Sequence, residues 1–80
     1  MTSQPKGTKP LPPDPEEMND KRADWAASAI DDFGQQTGTD LEDAVSDLLA
    51  DLMHWCDRNG QDFEHELRRA RQHYEAETEA

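Results

Sequence analysis

Eighty residues carry 19 Asp and Glu against eight Lys and Arg, a formal net charge of −11. A chain of this length makes one small domain, and 32% hydrophobic against 34% charged residues leaves little apolar material for its core. A field of this sign repels nucleic acid and anionic membrane and attracts basic protein surfaces, so direct binding to either polyanion is not expected.

The charge is uneven. Residues 14–66 hold 16 acidic residues and three basic ones (Lys21, Arg22, Arg58), a local balance of 3 − 16 = −13. Composition alone leans toward disorder. The apolar residues are clustered and periodic, however, and that predicts a folded unit. A single core of this size rarely yields more than about 3–5 kcal/mol. Self-association is therefore a reasonable expectation.

All five prolines fall in the first 15 residues: Pro5, Pro10, Pro12, Pro13 and Pro15. With Lys6, Gly7 and Lys9 they make residues 1–13 a disordered, slightly basic, Pro-rich N-terminal arm. The register Pro10-Leu11-Pro12-Pro13 also suits a proline-rich docking ligand, a pattern common in sequences at large. Met1 to Lys6 is followed by no apolar run, so no secretory signal is expected, and no stretch has the length of a membrane span.

The first helix is expected to open at Asp14 as N-cap, with Pro15 in the first helical position and Glu17 closing a capping box. Met18, Trp25, Ala26, Ala29, Ile30 and Phe33 recur at helical spacing. Gly34 and Gly38, with Thr37 between them, are expected to end it. The second helix should start at Thr39, with Glu42 three residues on, and run to about Arg58 before Asn59-Gly60. Its apolar set covers roughly half the circumference: Leu41, Ala44, Val45, Leu48, Leu49, Leu52, Met53, Trp55 and Cys56. That width suits a central helix or one that also faces a second copy. The third helix begins near Asp62 as N-cap and carries one narrow stripe, Phe63, Leu67, Ala70 and Tyr74. The last residues, from Glu75, lack apolar partners and are expected to fray.

No segment alternates, so the fold class is all-α. The short loops favour antiparallel neighbours. The expected architecture is a small three-helix bundle over residues 14–75, behind the arm and before a frayed end at 76–80. A helix–loop–helix pair that closes its core only as a dimer is the competing arrangement.

The first candidate site is a carboxylate ridge. Asp40, Asp43, Asp47 and Asp51 recur at 3, 4 and 4 and so share one face of the second helix. Like charges at i, i+4 cost about 0.2–0.5 kcal/mol per pair, and aspartate is a poor interior helix former. The chain accepts that cost to hold carboxylates about 6 Å apart along the axis. That spacing is close to the separation of neighbouring phosphates on a nucleic-acid strand. Mimicry of nucleic acid against a basic groove is one reading. A solvated face serving solubility is the other. Asp31, Asp32 and Glu42 are assigned to the rim of the ridge.

Other constellations carry less. His54 and Cys56 are two apart and diverge by about 200° on a helix, and His65 and His73 are eight apart, so no metal spacing is present. No cofactor is expected. There is no Gly-rich phosphate loop and no nucleophile elbow, and the Asp-rich stretch 39–51 lacks the glycine of a calcium loop. Arg68, Arg69 and Arg71 form the one basic patch outside the arm. Pairing of Glu64 with Arg68 and of Arg71 with Glu75 is the expected use of it. Trp25, Trp55, Phe33, Phe63 and Tyr74 should supply core bulk. If the bundle cannot cover both tryptophans, one becomes an interface anchor, for which Trp55 is the candidate. The single cysteine, Cys56, forms no intramolecular disulfide and suits a reducing cytoplasm.

The run Asp51-Leu52-Met53-His54-Trp55-Cys56-Asp57-Arg58-Asn59-Gly60, continuing through Phe63, Leu67, Arg71 and His73-Tyr74-Glu75, resembles uncharacterised small proteins of bacterial plasmids, phages and integrated elements. The likeness covers about half the chain and implies no activity and no catalytic residues. Size and acidity also resemble anti-CRISPR and other DNA-mimic inhibitors. The expectation is a non-enzymatic protein-binding module for a partner with a basic surface, a nucleic-acid-binding protein in the sharpest form. The alternative is an assembly protein that homodimerises through the second helix.

Overall fold

Three helices account for most of the described chain: α1 (Asn19–Thr37), α2 (Leu41–Arg58) and α3 (Phe63–Glu77). The computed structural model describes residues 10–80, and the first nine residues of the arm assigned to 1–13 lie outside the described residues. Among the described residues there is no strand, and the all-α, three-helix class is as expected.

Asp14 caps, but not where expected. Its carboxylate accepts from the backbone N–H of Met18 at 3.1 Å and of Asn19 at 3.3 Å. Residues 14–17 form one turn, closed by Glu17 N–H on the Asp14 carbonyl at 3.0 Å. Glu17 then takes a left-handed φ of 56°, which a continuous helix cannot contain. The helix proper therefore starts at Asn19, four residues after Pro15, and the capping box with Glu17 does not form.

α1 runs through Gly34 and ends at Gly38, where φ is 72°. Gly34 is thus inside the helix rather than in the loop. A β-carbon at Gly34 would meet the Thr39 carbonyl at 3.4 Å, an ordinary contact, whereas one at Gly38 has open space but the wrong φ. Gly34→Ala should raise stability by about 0.5–1 kcal/mol and Gly38→Ala should lower it by about 1 kcal/mol. Thermal melts of the two variants should shift in opposite directions, upward by about 2–8 °C for Gly34→Ala and downward by about 4–8 °C for Gly38→Ala.

Asp40, not Thr39, is the N-cap of α2, and its side chain makes no capping bond. The Thr39 hydroxyl is instead engaged by Thr37 Oγ1, which donates to it at 2.8 Å. The other helix ends follow expectation more closely. Gly60 takes a φ of 67° after α2, and the Asp62 carboxylate accepts from His65 N–H at 3.1 Å to cap α3.

The end of α3 is held rather than frayed. Asn19 Nδ2 donates to the Glu77 carbonyl at 2.8 Å, and Arg22 reaches the Glu77 carboxylate at 3.4 Å. Thr78 Oγ1 donates to the Tyr74 carbonyl at 2.8 Å. The helices thus close a ring: α1 to α2 through Gly38–Asp40, α2 to α3 through Asn59–Asp62, and the end of α3 to the start of α1. Helix α2 packs on both neighbours.

The ring encloses little interior. The radius of gyration is 14.9 Å, against about 12 Å for a compact domain of this length. Among the described residues only Ala44 (1% exposed) and Cys56 (6%) are buried apolar residues, and no large side chain is fully buried. Ile30, Phe33, Leu48 and Phe63 are half-buried. Trp25, Trp55 and Tyr74, expected to supply core bulk, are exposed. The physical reason is the closure of α3 onto the start of α1 through Asn19, Arg22 and Glu77: it rules out three helices stacked side by side, so their apolar stripes are only partly covered.

Candidate functional site

The ridge forms as one face of α2. Asp43, Asp47 and Asp51 stand on consecutive turns, all exposed, with Asp40 exposed at the N-cap before them. Asp40 to Asp51 spans about 16 Å of helix axis. None of the four is engaged in a salt bridge among the described residues. The three ion pairs lie elsewhere: Arg22 with Glu16 at 3.0 Å, Arg22 with Glu77 at 3.4 Å, and Arg69 with Glu66 at 3.0 Å. The row keeps its charge facing solvent.

Its rim differs from expectation. Glu42 is five residues before Asp47 and so about 140° round the helix, on the side of Leu49 and Met53 rather than beside the ridge. Asp31 and Asp32 are exposed on a different element, α1. The stripe has a further feature that sequence reasoning missed. His54 and Arg58 follow Asp47 and Asp51 by seven residues each and continue the same face. The Arg58 guanidinium donates to the His54 carbonyl at 3.1 Å and meets no carboxylate among the described residues. The face is therefore acidic at its N-terminal end and basic at its C-terminal end. The seven-residue spacing was the signal.

The expected arginine pairs on α3 are absent. Arg69 pairs with Glu66 at i, i+3, while Arg68 and Arg71 make no ion pair among the described residues. An exposed i, i+4 pair gains only about 0.3–0.5 kcal/mol, too little to hold two long side chains in one geometry.

Among the described residues no three His, Cys, Asp or Glu side chains converge as metal ligands. Cys56 is a buried free thiol. A cavity of about 350 Å³ opens where the arm's end meets α1 and α3, lined by Leu11, Pro12, Arg22, Ala23, Tyr74 and Glu77 among others. No helix among the described residues is long and apolar enough to cross a membrane.

Trp55 is 54% exposed, and its carbonyl accepts from Asn59 Nδ2 at 2.8 Å. It lies at the border of the apolar side of α2, four residues and about 40° on from Asp51 at the end of the ridge. The site and fold together define an acidic, all-α, three-helix protein with one unneutralised carboxylate face and one uncovered apolar face. The chain matches no protein-family model, no curated protein and no solved structure at a significant level.

Proposed function

We propose that this chain is a non-enzymatic, acidic module that works by docking on a partner protein with a basic surface. The observation that carries the reading is the row Asp40, Asp43, Asp47 and Asp51, exposed on α2 and free of the chain's own arginines and lysines among the described residues. The sharper form is nucleic-acid mimicry. The row occupies a groove built for phosphates and inhibits or regulates a nucleic-acid-binding protein, in the manner of inhibitors carried by phages and other mobile elements. The reduced thiol of Cys56 suits a cytoplasmic setting for this work.

The alternative, an assembly role with acidity serving solubility alone, draws on a different observation, the apolar side of α2. The two differ in what neutralising the ridge does. A partner co-purified from the native host, titrated with the Asp43→Asn, Asp47→Asn, Asp51→Asn variant, separates them. Affinity should fall roughly ten- to a hundredfold at physiological salt, with a flatter dependence on salt concentration. Nucleic acid should displace the parent chain from the same partner. Unchanged affinity together with unchanged salt dependence removes mimicry.

A further inference from the structure

Leu41, Val45, Leu49, Leu52 and Met53 follow one another at steps of 4, 4, 3 and 1 and make one continuous stripe along α2. Every one of them is exposed, Leu41 at 78%. With Trp55 on the neighbouring turn, the uncovered parts of these six side chains amount to roughly 600 Å², at the top of the range for the largest patch on a monomer. It is also most of the roughly 800 Å² that one protomer gives to a stable interface. Although α2 packs on both α1 and α3, Val45, Leu49, Leu52 and Met53 stay about half exposed.

We infer that a second copy of this chain covers the stripe, with α2 crossing α2 about a two-fold axis. Three observations favour a copy over an unrelated occupant. The area is close to what a self-complementary dimer requires on each side. Glu42 is the one charged residue within the stripe's arc, between Leu49 and Met53, and an antiparallel crossing centred between Val45 and Leu49 sets its two copies about 15 Å apart along the axis, so like charges do not meet there. Among the described residues no large side chain is fully buried, and a marginal chain of this size obtains its missing core by pairing. In an antiparallel crossing, the middle of the stripe, Val45 and Leu49, meets its own counterpart.

The dimer has a consequence for the acidic face. Asp47 lies about 200° round the helix from Val45 and about 160° from Leu49. Pairing through the stripe therefore leaves Asp43 and Asp47 of both protomers pointing outward, on opposite sides of the assembly, with Asp51 at the rim beside Trp55. The dimer is bivalent, with two acidic faces for two basic surfaces. Bivalency rests on the docking role of the ridge; the dimer itself does not.

Sedimentation equilibrium of the full chain over the micromolar range tests the dimer without any partner. A mass of two protomers is expected, and Val45→Glu with Leu49→Glu should weaken association roughly a hundredfold or more while keeping the helical circular dichroism. A parent chain that stays monomeric throughout overturns the proposal. So does a dimer that survives the double variant. Should the double variant lose its helicity, Leu49→Cys decides: it should cross-link to its own copy under mild oxidation, whereas Asp47→Cys should not. The reverse pattern overturns the stripe as the interface. A dimer that forms while the ridge variant binds its partner unchanged would sink the docking role and leave the dimer standing.

Discussion

Ala44→Asp abolishes the folded state. Ala44 is 1% exposed, the most buried side chain of the described residues, and it sits in the second turn of α2, just past the junction with α1. A carboxylate introduced there loses its water. It also finds no ready counter-charge, since no ion pair among the described residues involves α2. Leaving an unpaired charge buried costs on the order of 3–5 kcal/mol, which equals the whole of what a core of this size provides. The helical circular dichroism signal and the cooperative melt should both vanish. Ala44→Ser, which adds one hydroxyl, should cost only about 1–3 kcal/mol. A melt of the aspartate variant within a few degrees of the parent would mean that Ala44 faces water.

Arg22→Ala opens the ring where α3 returns to α1. One guanidinium, 30% exposed, bonds Asn19 Oδ1 at 2.6 Å, Glu16 at 3.0 Å and Glu77 at 3.4 Å. Exposed ion pairs contribute about 0.2–1 kcal/mol each, so the half-sheltered cluster contributes about 1–2 kcal/mol. Against a core that provides about 3–5 kcal/mol, that is roughly a fifth to two thirds of the total. Hydrogen exchange should accelerate over Tyr74–Glu77, while α2 amides near Cys56 keep more of their protection. Arg22→Lys should recover part of the loss, because a lysine makes one contact where the fork makes several. Uniform loss of protection across all three helices would show instead that the ring opens only as a whole.

The helices were legible because each carries its own local signals. The Asp62 cap, the Asn59-Gly60 stop and the period of the α2 apolar set all act within a few residues, so they survive any arrangement of the helices. The misreadings came from competition at single positions. Glu17 had the right offset for a capping box, but its own φ broke the helix before it. Thr39 had the right side chain for an N-cap, but Thr37 took its hydroxyl. Gly34 read as a stop, yet one glycine inside a helix costs only about 1 kcal/mol, and the loop had a better stop in Gly38.

The surface was legible to the same depth. Spacing of 3, 4 and 4 put Asp43, Asp47 and Asp51 on one face, since helical geometry leaves no other result. The same arithmetic already separated Glu42 from that face and joined His54 and Arg58 to it. Residues on another helix, Asp31 and Asp32, have no such guarantee.

By itself the sequence determined an all-α chain of three helices and a second helix divided into a charged half and an apolar half, because period and capping are properties of neighbouring residues. What the apolar half touches was decided only in three dimensions. Asn19 and Arg22 clasp Glu77 across 58 and 55 residues, a contact that no periodicity encodes, and that closure spreads the helices into a ring. The tryptophans and the leucine stripe, which composition assigned to a core, thereby lie on the surface.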